Sequence, residues 1–229
     1  MKSLRIIPLL LAALTPLGCS NTDSAELGTG EIEAAMHVDV SDDDGSKAWV
    51  ALTEGFNDVI LSEGDRLTGR TGNGEELTFE LHDNFDFYET PLPDDVAELT
   101  IELHREAGES ALDSVVVVPA PLGLDMPLDG QTISAADGDL VLTWNNPIDG
   151  AGVRHEVSAC DSGGVGASVV GYADDVGSHV IPASALAGSE GCAHIIVYRM
   201  VDGTVDPALH EDSTIEAERK EVFEVTVSP

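Results

Sequence analysis

The stretch "LTIELH" (99–104) alternates without a break: Leu99, Ile101 and Leu103 are apolar, while Thr100, Glu102 and His104 are polar. Successive side chains of an extended chain point to opposite faces, so a period of two marks a strand with one buried and one wet face. "LTFELH" (77–82) nearly repeats it, with Leu77, Phe79 and Leu81 set against Thr78, Glu80 and His82. The same alternation runs through Leu140, Leu142 and Trp144, and through Phe223, Val225 and Val227. Residues 115–118 and 195–197 are apolar throughout, as expected of central strands covered on both faces. Turn formers interrupt these runs at short intervals: "DDDG" (42–45), "GNG" (72–74), "DG" at 129–130 and 137–138, and "SGG" (162–164). Short strands with regular turn signals predict an all-β sandwich or barrel. Helical periodicity is confined to brief stretches at 182–186 and 207–210.

The best candidate boundary is "PAPLGLDMPLDG" (119–130), whose prolines remove donors from any ladder. It predicts a linker or irregular edge strand and divides the chain into 31–118 and 119–229. The second part resembles a fibronectin type III or related immunoglobulin-like domain. The resemblance rests on a Pro-rich opening edge, "DLVLTWNNP" (139–147) with Trp144 inward as second strand, and "VRHEVSAC" (153–160) as third. "SHVIPASALAGSEGCAHIIVYRM" (178–200) supplies a fifth strand, a corner and a sixth strand, and "VFEVTV" (222–227) the last. The first part also reads as a sandwich. The fold expectation is therefore two β-sandwich, immunoglobulin-like domains in tandem.

The N-terminus reads as an export signal. Lys2 and Arg5 precede an apolar run from Ile6 to Leu14, followed by small and turn-forming residues. The run falls short of the roughly 20 residues a spanning helix needs. It ends in "LTPLGCS" (14–20), which resembles the lipobox of bacterial lipoproteins. In that family a cysteine preceded by a small residue is diacylated and becomes the new N-terminus, and Gly18 and Cys19 match this. The resemblance implies a signal over 1–18, lipidation at Cys19 and, with Ser20 following, sorting to an outer membrane. The alternative is an uncleaved or differently cleaved signal with an incidental Cys19. Residues 19–30 are expected as the lipidated cysteine and a flexible tether, about 18 Å of random chain. The whole resembles uncharacterised sandwich lipoproteins of Gram-negative bacteria. With Cys19 used for lipid, Cys160 and Cys192 remain in an oxidising compartment and are expected to pair; the alternative is two buried thiols. In the fibronectin-like topology, the end of the third strand and the start of the sixth lie side by side, which brings these two cysteines within reach.

Acidic residues number 43 against 10 Lys and Arg, for a formal charge of −33. The acids are spread along the chain, which excludes nucleic acid and a flat contact with an anionic membrane. The excess fits a solvated, salt-adapted surface, where a Debye length of ~3 Å at 1 M salt removes most of the repulsion. Capture of cations or of a basic partner is the functional alternative. With 42% hydrophobic and only 4% aromatic residues, the core must be mostly Val, Leu, Ile and Ala.

Three motifs touch on chemistry. Glu80, His82, Glu102 and His104 face outward from the two near-repeats. On adjacent strands they would offer two imidazoles and two carboxylates to a zinc-like ion; otherwise they fill a polar sheet face. "DVSDDDGSK" (39–47) suggests a calcium loop, but an EF-hand with Gly45 at its sixth position would place Val40 and Ala51 at ligand positions. A hairpin turn fits better, with Asp42, Asp43, Asp44, Asp174 and Asp175 as possible calcium donors between domains. "CDSGGVG" (160–166) has the Asp-Ser-Gly-Gly of trypsin-like nucleophile loops but no histidine in that family's setting, and is expected as a turn. The expectation is a lipid-anchored, acidic, non-catalytic structural or binding module of the cell envelope. It would need no cofactor; its partners would be the membrane, an envelope protein and divalent cations. The alternative is a metal-dependent carbohydrate-binding module or an accessory domain of an envelope enzyme. Trp49 and Trp144 are both expected to be buried.

Overall fold

The structure, a computed structural model, describes residues 21–41, 45–82, 85–160, 169–186 and 191–228. Its strands in chain order are β1 (Thr22–Asp23), β2 (Glu33–Ser41), β3 (Lys47–Glu54), β4 (Asn57–Ile60), β5 (Arg66–Thr71) and β6 (Glu76–Thr78). There follow β7 (Glu80–Leu81), β8 (Phe87–Pro91), β9 (Glu98–His104), β10 (Ala111–Val117), β11 (Leu124–Met126) and β12 (Thr132–Ser134). The last six are β13 (Leu140–Trp144), β14 (Gly152–Ala159), β15 (Val169–Asp174), β16 (Ser178–Ile181), β17 (Ala193–Asp202) and β18 (Thr214–Ser228). One turn of helix, α1 (Ala183–Leu186), makes the corner before β17.

The fold is all-β and sandwiched. An eleven-stranded sheet runs β1-β4-β3-β2-β18-β17-β14-β15, with β8 and β7 joined to β3 and β12 to β18. A four-stranded sheet, β10-β9-β5-β6, covers one part of it and a three-stranded sheet, β11-β13-β16, covers another. Each cover encloses a separate core. The first holds Val38, Val50 and Leu52 against Leu99, Ile101 and Leu103; the second holds Leu142, Trp144 and Ile181 against Val157, Ile195 and Val225. Both are dominated by Val, Leu, Ile and Ala, as the scarcity of aromatics requires.

The strands expected of the fibronectin-like half are all present and in order: β11, β13, β14, β16, β17 and the end of β18. The two cores are nevertheless not two halves of the chain. The first half of β18 pairs in parallel with β2, Glu216 opposite His37 and Glu218 opposite Asp39. Its Ile215 and Ala217, together with Leu209, belong to the first core. The connection before β18 is built into that sandwich as well. Asp206 accepts from the backbone N–H of Leu112 (2.7 Å) and Asp113 (2.9 Å), and Ser213 Oγ accepts from Ala34 N–H (3.0 Å). Gly203 passes so close to the Val115 carbonyl that a Cβ there has no room.

Where the cores meet, the Pro-rich stretch crosses the inner face of the large sheet. Arg199 donates to the carbonyls of Ala120 (2.9 Å), Pro121 (3.2 Å) and Asn146 (3.1 Å). Its Nε pairs with Asp175 at 2.8 Å, both side chains being 0% exposed. Arg219 donates to the Pro119 carbonyl (2.7 Å), and the Glu221 carboxylate accepts from Leu122 N–H. A chain without regular ladders has unpaired carbonyls, and buried ones need donors; these two arginines supply them.

Three expectations are corrected. Residues 115–118 do not form a central strand: β10 is the edge of its sheet and Val117 is 56% exposed. The run 77–82 is not one strand. It leaves the four-stranded sheet at Phe79 and joins β8 of the large sheet through β7, which leaves Leu81 exposed. The expected tether at 21–30 is docked. β1 pairs in parallel with β4, and Ser24 and Thr29 are buried. Asp65 accepts from Ser24 Oγ (2.8 Å) and pairs with Arg105 (2.7 Å), and Arg105 donates onward to the carbonyls of Ser24 and Leu27. Small polar residues read as flexible in sequence; here their side chains replace the missing ladder bonds.

Candidate functional site

The outer face of the large sheet is the most elaborated surface among the described residues. It runs unbroken over both cores because β18 belongs to both. Cross-strand register aligns Glu89, Trp49, His37 and Glu216 in one row, and Lys47, Asp39, Glu218 and Met200 in the next. A third row carries Lys220, Tyr198, Arg154 and Tyr172.

His37 is the centre of this face. Its Nε2 lies 2.7 Å from Asp39 Oδ1 and 3.9 Å from Glu218 Oε1, and its Nδ1 lies 3.1 Å from Glu216 Oε1. Its ring stacks on Trp49 with centroids 5.2 Å apart, and Trp49 in turn meets Phe87 at 6.1 Å. Burial alone would lower the His37 pKa, but hydrogen bonds and charges from Asp39 and Glu218 outweigh it and push the value up to about 10. Asp39 is lowered despite its own burial, through its hydrogen bond to the imidazole. On the other flank, Arg154 bridges Glu156 (3.2 Å) and Glu218 Oε2 (3.3 Å), and its guanidinium sits 3.8 Å over the Tyr198 ring. The arrangement is an imidazole shared among three carboxylates on paired strands.

Of the residues singled out from sequence, Cys19 and Asp42, Asp43 and Asp44 lie outside the described residues, as does most of "CDSGGVG". Cys160 and Cys192 form a disulfide with Cα atoms 5.5 Å apart, joining the end of β14 to the start of β17. Glu80 and His82 follow β7 into the large sheet, where His82 lies 3.6 Å from Glu89. Glu102 and His104 stay on β9 in the other sheet, where they contact each other at 3.1 Å, with Arg70 2.9 Å from Glu102. The four do not come together, because the chain switches sheets at Phe79. Asp175 is taken up by the second core, accepting from Trp144 Nε1 (2.6 Å) and Ile148 N–H (2.9 Å) beside Arg199. Trp144 is buried as expected, but Trp49 lies half-buried on the outer face. Tyr88 is buried beneath the sheet, and Tyr172 is 69% exposed on the far strand β15. An open groove of about 900 Å³ lies beside Trp49's strand, lined by Lys47, Glu80, His82 and Glu89.

Sequence reasoning missed the His37 cluster. Its signal is the outward H-x-D of β2 and E-x-E of β18, which are nearly 180 positions apart and meet only through a parallel pairing.

No family model matches the chain, and no curated protein matches it in sequence. Among solved structures, the native conformation of Escherichia coli alpha-2-macroglobulin aligns at 9% identity with a TM-score of 0.28, over 86% of this chain and 14% of that one. The Yersinia pseudotuberculosis adhesin InvE aligns at 12% identity with a TM-score of 0.23, over 88% of this chain and 61% of that one. No helix among the described residues is long and apolar enough to cross a membrane.

Proposed function

We propose that this protein is a lipid-anchored, acidic, non-catalytic binding module of the bacterial cell envelope, held at an outer membrane through Cys19 and built as two sandwich units sharing β18. The observation that carries the binding role is the outer face of the large sheet. It is broad, and it presents Trp49, Phe87, Tyr198, Tyr172 and Arg154 where the opposite face of each unit is committed to a core. At ~4.8 Å per strand, the eight strands of its main path give a surface of roughly 34 Å across. Tyrosine, tryptophan and arginine are the residue types that dominate contact energies at protein interfaces.

The anchor and the docked N-terminal segment fit together. Asn21 is two residues beyond Cys19, a reach of no more than about 7 Å. Thr22 pairs beside Val59, next to the β3–β4 hairpin whose tip carries the fully exposed Phe56. A lipid on Cys19 would hold that end of the sandwich at the bilayer, with a short leash in place of a long tether. Two acyl chains are needed for stable anchoring, since one alone binds marginally.

Intact-mass analysis of the protein extracted from membranes tests the anchor, and a diacylglyceryl adduct on Cys19 is the expected result. Site-specific photocrosslinking in intact cells tests the binding face. Probes at Trp49 and Tyr172 should capture a defined partner, while a probe at Thr100 on the opposite sheet should not. Unmodified protein in the cytosol ends the first reading. Equal capture from both sheets, or none, ends the second.

A further inference from the structure

The geometry around His37 points to a metal centre: we propose that His37 Nε2, Asp39 and Glu218 bind one divalent cation of the zinc class on the outer face of the large sheet. One ligand atom from each of these side chains lies within 4.8 Å of the other two. Zinc holds nitrogen and oxygen ligands at about 2.0–2.2 Å, which sets the edges of a tetrahedron near 3.4 Å. The observed 2.7 Å and 3.9 Å separations from Nε2 bracket that edge, so shifts well under 1 Å seat the ion. Calcium asks for six to eight oxygens, which three side chains do not supply.

The surroundings are those of an oriented site. A metal-binding histidine ordinarily gives its other ring nitrogen to a carboxylate, which fixes the tautomer and raises basicity. His37 Nδ1 faces Glu216 Oε1 at 3.1 Å, leaving Nε2 toward Asp39 and Glu218. Glu218 Oε2 is held by Arg154 at 3.3 Å, which aims Oε1 back at the histidine, and Arg154 is itself held over Tyr198. Trp49 stacks on the imidazole and keeps it from turning away. All the ligands stand on paired strands, β2 and β18, with Asp39 directly opposite Glu218. When the ion binds, the Nε2 proton leaves to solvent and the dication takes its place between the carboxylates. Three protein ligands leave a fourth position for water or for an atom of a partner laid on the sheet. The second group with ligand spacing, Cys160, His194 and Glu224, offers no such site, because the Cys160 sulfur is bonded to Cys192. The His37 site stands whether or not Cys19 carries lipid.

The test is calorimetric titration of the metal-free full chain, in non-ionic detergent, with zinc chloride and separately with calcium chloride. One zinc per chain is expected, with calcium at least 100-fold weaker. His37→Gln and Asp39→Asn should each weaken zinc by 100-fold or more. Glu216→Gln, which leaves every ligand in place, should weaken it by about 10–100-fold with unchanged stoichiometry. Glu102→Gln on the opposite sheet should change nothing. Circular dichroism melts establish that each variant is folded, and if His37→Gln is not, Glu216→Gln still decides. Cobalt(II) in place of zinc should give the visible absorption of four-coordinate geometry. No zinc binding, binding that survives in folded His37→Gln or is unchanged in Glu216→Gln, or calcium binding as tightly as zinc would overturn the proposal, the last marking diffuse capture by surface acids.

Discussion

The two sandwiches solve the same problem with different parts. Each must hold a largely irregular segment whose own ladder is only two or three residues long, and each does so with a buried arginine–aspartate pair. In the first, Arg105 and Asp65 clasp the N-terminal segment through the carbonyls of Ser24 and Leu27. In the second, Arg199 and Asp175 clasp the Pro-rich crossing through Ala120 and Pro121, and Arg199 also holds the Asn146 carbonyl of the β13–β14 connection. The difference is what each clasp joins. The Arg105 clasp fastens one end of the chain to one core. The Arg199 clasp sits where the chain passes between cores, on β17, which pairs with β18 from Ala193 to Asp202. Among the described residues, only the second sandwich adds a disulfide, and only the first takes in chain from elsewhere, through β18 and Leu209. One sandwich is closed largely by its own strands and a covalent staple; the other is completed by a strand the chain delivers last.

That contrast can be broken most severely at Arg199. Removing one partner of a buried ion pair costs about 3–5 kcal/mol, because the remaining charge is left without compensation. Arg199→Met should fall at the upper end, since three carbonyls lose their donor as well. Chemical denaturation should show both cores loosening together. Asp175→Asn added to it keeps an acceptor for Trp144 Nε1 and removes the stranded charge, so the double variant should recover part of the loss. Recovery of nothing would mean that the guanidinium acts only through its carbonyls.

Cleaving the staple comes next. In the chain-entropy model, a bridge between cysteines 32 positions apart is worth about 3.7 kcal/mol. Cys160→Ala/Cys192→Ala should lower stability by that order and should act on the second core. Hydrogen exchange ought to accelerate in β14 and β17 while β9 stays protected. If β9 exchanges equally fast, the shared β18 couples the two cores more tightly than the difference in their parts implies. Arg105→Met should cost about 3 kcal/mol, the lower end of the same buried-pair range. Its signature is local: proteolytic cleavage between residues 21 and 31 with the rest of the body intact.

Alternation made most of this legible. Residues 99–104, 140–144 and 222–227 each have one face that only a core can take, and each is a strand with that face inward. The disulfide was legible because strand order placed two cysteines at adjacent strand ends. Phe79 was not legible as a corner, since its inward position satisfies the pattern of either sheet. The docked segment 22–31 was not legible because its partners, Asp65 and Arg105, lie some 40 and 80 residues away and act by single hydrogen bonds. The same distance hides the His37 cluster: a strand's period shows which side chains face out, but not which other strand will lie beside it.

The two sandwiches also differ in where they keep a histidine, which yields the smallest and most specific effect. His37 faces outward among carboxylates, whereas His155 faces inward on β14 against Gly171 of β15 and His179 of β16, with ring centroids of the two histidines 4.6 Å apart. Burial, and secondarily the charge of His179, lowers the His155 pKa below its ordinary 6.5. A basic group that is harder to protonate when folded favours the unfolded chain once that chain begins to take up the proton. The second sandwich should therefore hold full stability above about pH 6.5 and lose it as pH falls below that value toward the depressed one. The measurement is the denaturation midpoint of wild type and His155→Leu between pH 5 and pH 7.5. The wild type should lose stability relative to the variant on the acid side, with the two curves parallel above pH 7. Parallel curves throughout would mean that the folded second core accepts the proton as readily as the open chain does, and that Gly171, which leaves no room for a Cβ beside the imidazole, serves packing alone.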